Sequence, residues 1–166
     1  MGRMSVRVLV TGGTFDKDYD ELSGRLSFRR THVPEMLRQG RSRVPARVTT
    51  LMMKDSLFMT AADRRRILQA CRRAREKSIV VTHGTDTMTE TAAVLGRGLA
   101  GKTVVLTGAM RPYRFGSSDG MFNLGSALSF AQVLPAGVYV AMNGRCHPWG
   151  AVRKDRRRGV FVRARP

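Results

Sequence analysis

Cysteine is scarce in this chain, with two among 166 residues. Cys71 and Cys146 lie 75 positions apart (146 − 71), without the close spacing of a zinc or redox motif, and they read as reduced spectators. Aromatic residues make up only 7% and do not alternate with the basic ones, which argues against a base-stacking platform for nucleic acid. No apolar run approaches the roughly 20 residues of a membrane helix, and the amino end shows neither an apolar signal core nor a cleavage pattern. A cytoplasmic protein with no membrane partner is the expectation. Met1-Gly2 does not read as a myristoylation signal, because Val6 occupies the position that should carry Ser or Thr.

Acidic side chains are also few: 12 Asp and Glu against 30 Lys and Arg give a formal charge of +18. The excess is mostly arginine and is scattered over Arg29 to Arg47, Arg64 to Arg75 and the tail from Arg153 to Arg165. This dispersal favours a solvated surface with a bias towards arginine, with polyanion binding confined to a non-specific effect at low salt. The histidines, His32, His83 and His147, are isolated from one another and from any carboxylate pair at ligand spacing, so they read as loop or packing residues. No metal or cofactor is expected.

What is present is a rhythm of short apolar runs and helical patterns. Val6–Val10, Arg47–Met53, Ser78–Thr82, Lys102–Thr107 and Gly137–Met142 read as strands. Between them, helices are expected over Val33–Gln39, from Thr60 to about Lys77, from Thr87 to Gly96 or Gly98, and from about Ser118 to Val133. Such alternation specifies an α/β fold, flavodoxin-like or Rossmann-like, with about five mostly parallel strands and helices on both faces. A length of 166 residues suits one domain, taken here as 1–166. The long polar loop from Thr11 to Arg30 has the length of a functional lid, and the stretch after Met142 is expected to be a loop carrying Lys154 and a short basic end.

Chemistry concentrates where strands end. Val6–Val10 runs into Thr11-Gly12-Gly13-Thr14, and Ser78–Thr82 runs into His83-Gly84-Thr85-Asp86-Thr87-Met88. The glycine pair lacks the spacing of a dinucleotide fingerprint and the Gly-Lys-Ser/Thr end of a Walker loop. A threonine hydroxyl is a poor nucleophile near neutral pH and needs a base, a task Lys154 is placed to fill for Thr85 and Asp86 if the last strand ends beside the third. Taken singly, Thr85 and Thr87 would cap a helix, Asp86 would serve its dipole, Ser56 a turn and Lys154 the solvent.

Six ordered motifs set that bland reading aside. Thr11-Gly12-Gly13-Thr14, Lys54-Asp55-Ser56 with Met59-Thr60, His83 to Met88, Gly108-Ala109-Met110-Arg111-Pro112, Ser118-Asp119-Gly120 with Phe122-Asn123-Leu124, and Met142-Asn143-Gly144 with Val152-Arg153-Lys154 together resemble the amino-terminal domain of bacterial-type L-asparaginases. The resemblance implies hydrolysis of L-asparagine to L-aspartate and ammonia without a cofactor. By it, Thr14 is the primary nucleophile, and Thr85, Asp86 and Lys154 form a second hydroxyl, carboxylate and amine cluster. It further implies that Tyr19 is the lid tyrosine contacting Thr14, that Ser56 binds the substrate α-carboxylate, and that Thr85 and Asp86 line the substrate site, Asp86 at the α-ammonium. Family members commonly add a smaller carboxy-terminal domain that completes a neighbour's site; without it, weak affinity and retained hydrolysis are expected, in a homo-oligomer. The rival readings are an amidotransferase subunit acting on transfer RNA and a non-catalytic amino-acid-binding protein.

Overall fold

β-branched runs buried on both faces are the pattern of a parallel sheet covered by helices, and Ser78–Thr82 (SIVVT) is one such run. In the computed structural model, which describes residues 5–164, that run is the centre of a six-stranded sheet. Met1-Gly2 and the end of the basic tail at Arg165 lie outside the described residues.

In chain order the strands and helices are β1 (Val6–Gly12), β2 (Lys17–Asp20), β3 (Arg25–Phe28), α1 (Val33–Gln39), β4 (Ala46–Lys54), α2 (Ala61–Arg73) and β5 (Ser78–Thr82). They continue as α3 (Met88–Gly98), β6 (Thr103–Thr107), α4 (Gly120–Val133), β7 (Gly137–Met142), β8 (Arg145–Pro148), β9 (Val152–Asp155) and β10 (Val160–Arg163). The main sheet runs β4-β1-β5-β6-β7-β8, parallel except for β8, which is antiparallel to β7. Its first five strands have the flavodoxin-like order, which reverses between β1 and β5; the crevice at the carboxyl ends of those two strands is where such folds place ligands.

Alternating side chains along each strand feed two cores. Leu9, Ile79, Val81, Val104 and Leu106 pack against Ile67, Leu68 and Cys71 of α2 and Ala92 and Leu95 of α3. On the other face Val8, Val10, Val80 and Val105 meet Val33 and Met36 of α1 and Leu124 and Leu128 of α4. Each buried Val or Leu contributes roughly 1.5–3 kcal/mol of apolar transfer. Helices on both faces are therefore present as expected.

Three departures have physical causes. α2 stops at Arg73, four residues before the expected Lys77, because Ala74 turns extended and the Lys102 ammonium donates to the carbonyls of Cys71 and Ala74. At its other end Thr60 caps the helix: the Thr60 hydroxyl accepts from Asp63 N–H at 3.2 Å while the Asp63 carboxylate accepts from Thr60 N–H at 2.8 Å, an arrangement worth about 1 kcal/mol.

The stretch after Met142 is a correction. It is not a loop but three strands, β8 added to the sheet edge through a two-residue turn at Asn143-Gly144 (φ 52° and 80°), then the β9–β10 hairpin, so that Lys154 lies on a strand. Val152 and Phe161 anchor this hairpin in the core, which fixes Lys154 between them. The expected lid also carries structure of its own, a short 3-10 turn at Thr14–Asp16 followed by the β2–β3 hairpin. No helix among the described residues is long and apolar enough to cross a membrane.

Candidate active site

Two loops leave the sheet at its switch point, and glycine lets them touch. Gly13 has φ 77°, and a Cβ added there would overlap the backbone nitrogen and Cα of Gly84. Thr14 and Thr85 are the next residues in each chain segment, so the loops that carry the two candidate hydroxyls pack directly against each other. A third loop joins them: Gly13 N–H donates to the Lys54 carbonyl at 3.0 Å, and a Cβ on Gly84 would overlap the Ser56 side chain. The Thr87 hydroxyl donates to the Ser56 carbonyl at 2.9 Å rather than capping α3, which ties the Ser56 turn to the start of that helix.

Within this crevice the Lys154 Nζ lies 2.8 Å from Thr85 Oγ1 and 2.8 Å from Asp86 Oδ1. Thr85 is buried and the Lys154 side chain is only 10% exposed, while Asp86 is 37% exposed, so the contact is partly enclosed. Ser56 Oγ is buried and has no hydrogen-bond partner among the described residues. Thr14 is half-buried and its hydroxyl likewise makes no hydrogen bond among them. Asp86 also receives Arg156, whose Nη1 is 3.9 Å from Oδ1 and whose Nη2 donates to the Asp86 carbonyl at 3.3 Å.

Tyr19 does not join these groups. It sits on β2, 57% exposed, and lines a cleft of about 660 Å³ on the hairpin side with Asp18, Arg29, His32 and Arg114. The hairpin is held at its base instead: Lys17 Nζ meets Asp55 Oδ2 at 2.6 Å, His32 Nε2 meets Asp18 Oδ1 at 2.9 Å, and Asp16 Oδ1 accepts His32 N–H at 2.8 Å. Burial raises the Asp16 carboxyl above its ordinary range in spite of the N–H of His32. Burial also pushes on Asp55, but the Lys17 ammonium and Leu57 N–H outweigh it and hold that carboxyl low.

His83, between the strand and the threonine loop, is scaffold. One ring nitrogen is 2.7 Å from the Gly84 carbonyl and the other 2.7 Å from the Thr91 hydroxyl, and burial drives its pKa down to about 4, so the ring is neutral. The remaining motifs also brace the crevice. The Asp119 carboxylate accepts N–H from Met110 and Arg111, and Asn123 links the Gly108 carbonyl at 2.8 Å to Asn143 N–H at 2.9 Å, clamping the ends of β6 and β7. Asp119 and Asn123 stand in the sequence motifs without an assigned role, and nothing in the sequence around Lys17 or Arg156 distinguishes them from other surface cations.

Comparison with known proteins agrees with this architecture. Residues 5–160 match the family model described as "Asparaginase, N-terminal". L-asparaginase 1 of Escherichia coli K12 is 31% identical over 176 residues, covering 100% of this chain and 52% of that protein. Among solved structures, the thermostable L-asparaginase from Thermococcus kodakarensis superposes with a TM-score of 0.84 at 29% identity, over 96% of this chain and 51% of that one. The probable cytoplasmic L-asparaginase from Campylobacter jejuni gives 0.78 at 29% identity, over 90% and 49%. This chain thus spans about half the length of these relatives. With the family model matched over nearly all of its residues and the same fold in those neighbours, the chain belongs to the asparaginase family.

Proposed function

We propose that this chain is an amidohydrolase acting as an L-asparaginase, with Thr14 and Thr85 as its reactive hydroxyls. The observation that carries the reading is Lys154 Nζ at 2.8 Å from both Thr85 Oγ1 and Asp86 Oδ1, a hydroxyl, an amine and a carboxylate in one partly enclosed contact. Such a set suits proton transfer from a hydroxyl, with Asp86 stabilising the ammonium that results. The relatives' names, L-asparaginase in each case, support the substrate class.

Thr14 Oγ attacks the side-chain carboxamide carbon, its proton passing to the site. The C–N bond then breaks, and ammonia leaves with that proton, so that the acyl group is held as an ester on Thr14. Water, deprotonated through Thr85 and Lys154, attacks the ester and breaks its C–O bond; one water proton returns to Thr14, and the β-carboxylic acid so formed gives up its own proton, which ends on the ammonia as ammonium. Ser56, with a free buried hydroxyl, donates to the substrate α-carboxylate, and Asp86 faces the α-ammonium. Tyr19 closes over Thr14 when the hairpin moves inward. The groups come from one sheet and its loops, so they act as a single catalytic domain; a homo-oligomer and a cytoplasmic location complete the reading.

Ammonia release from L-asparagine and L-glutamine tests it. Thr14→Ala and Thr85→Ala are each expected to lower turnover by about 10²–10⁴-fold. Turnover unaffected by both substitutions would refute the assignment, and light scattering that finds only monomer would remove the oligomer.

A further inference from the structure

One fully buried carboxyl group takes no part in the proposed hydrolysis. Asp16 is 0% exposed and closes the 3-10 turn that Thr14 opens. Its Oδ1 accepts the backbone N–H of His32, the residue before α1, at 2.8 Å, while its Oδ2 has no hydrogen-bond partner among the described residues. Burying a carboxyl group with one oxygen unpaired is costly, and an apolar side chain would fill the same space without that cost.

Thr14 lacks an anchor of its own. Its hydroxyl makes no hydrogen bond among the described residues, so its direction follows from its neighbours in the chain. On one side Gly13 is packed against Gly84, but a glycine backbone is permissive and leaves the direction of the next residue open. On the other side Asp16 N–H donates to the Gly13 carbonyl at 3.2 Å, and Phe15, also 0% exposed, seats the turn in the core. The Asp16 side chain then ties that turn to His32, 16 residues along the chain.

We propose that Asp16 is a positioning residue for the reaction, holding the Thr14–Asp16 turn against the residue before α1 so that the Thr14 hydroxyl is aimed into the crevice. The inference rests on the amidohydrolase reading for the role of Thr14. Asp16 acts as a hydrogen-bond acceptor and not as a charge or a base: burial raises its carboxyl, and Oδ1 accepts the His32 N–H whether the group is ionised or neutral. Asp18 supplies the contrast. It also meets His32, but at Nε2 (2.9 Å), and it belongs to β2 of the hairpin.

The test compares Asp16→Ala, Asp16→Asn and Asp18→Ala in ammonia release from L-asparagine and in the methyl NMR spectrum of the threonine-labelled full chain, where the Thr14 signal is the one that Thr14→Ala removes. Asp16→Ala is expected to lower kcat and kcat/KM alike by about 10–10²-fold, the size of a misplaced reacting group, and to shift or broaden the Thr14 signal. Asp16→Asn keeps the acceptor and should hold kcat within about threefold of the unaltered protein, with the Thr14 signal close to its original position. Asp18→Ala should raise KM severalfold at nearly unchanged kcat. An asparagine variant as impaired as the alanine one, a Thr14 signal that Asp16→Ala leaves in place, or an equal kcat loss in Asp18→Ala overturns the inference. If Asp16→Ala does not fold, Asp16→Leu, which fills the space without an acceptor, takes its place; failure of both to fold overturns the inference, because the contact then serves folding alone. Absence of ammonia from the unaltered protein overturns the hydrolase reading instead, and the methyl signals still decide the role of Asp16.

Discussion

Two structures rise from the carboxyl end of β1, and they are held in opposite ways. The Gly13 turn packs backbone against backbone on Gly84, over a buried neutral His83. The β2–β3 hairpin that follows is exposed, with Leu22 at its tip 95% accessible, and is tied down by polar contacts at its base. Thr14 and Thr85 border the turn with no room to move, whereas Tyr19 lies on the hairpin, which moves at lower cost.

Paired glycine substitutions sharpen this contrast most. Gly13→Ala and Gly24→Ala both place a Cβ at positive φ, 77° and 66°, but only the first also overlaps Gly84, whereas Gly24 has Tyr19 Oη as its nearest neighbour at 3.9 Å. Gly13→Ala is expected to cost about 2–6 kcal/mol in thermal or urea unfolding and to abolish ammonia release. Gly24→Ala should cost only about 1–2 kcal/mol and leave most of the activity. Equal losses at the two positions would erase the distinction.

The pH dependence of stability probes the rigid side next. Burial lowers His83 to about 4 in the folded protein against an unfolded value of about 6.5, so the unfolded chain binds the extra proton between those limits. The stabilisation is complete above about pH 6.5 and is lost as pH falls to about 4, to the extent of about 3 kcal/mol. Unfolding of His83→Gln across that window should therefore fall less steeply than that of the unaltered protein, and parallel curves would remove His83 from the account.

On the hairpin side the effects should be smaller. Lys17→Met frees Asp55 and is expected to cost about 1 kcal/mol and to raise KM severalfold with little change in kcat, since it loosens the cover without touching Lys154. Leu22→Ser should stay within about 0.5 kcal/mol in either direction. A large kcat loss in Lys17→Met would mean that the hairpin helps to set the reacting geometry.

The same division governs what could be read beforehand. β5 and β6 are continuous β-branched runs between turns, and they stand at the expected Ser78–Thr82 and one residue inside the expected Lys102–Thr107. β8 stands where a loop is expected: Asn143-Gly144 is a strong hairpin signal, but the strand it introduces, Arg145-Cys146-His147-Pro148, has no apolar alternation to mark it. The end of α2 is not marked locally, because the capping cation, Lys102, comes from a segment 31 residues beyond Cys71. At the candidate site, Thr85 and Asp86 share one contiguous motif, and Lys154, expected from its place after the last parallel strand, lies 2.8 Å from both. Arg156 reaches Asp86 across 70 residues through a turn that its own sequence, a run of arginines, does not distinguish from solvated surface.

The contact of Lys154 with Thr85 and Asp86 is the centre of the account, and ammonia release by Lys154→Met at saturating amide is the most direct measurement of it. Turnover should fall by about 10²–10⁴-fold while the unfolding midpoint stays close to that of the unaltered protein. Undiminished turnover in the folded variant would contradict the account.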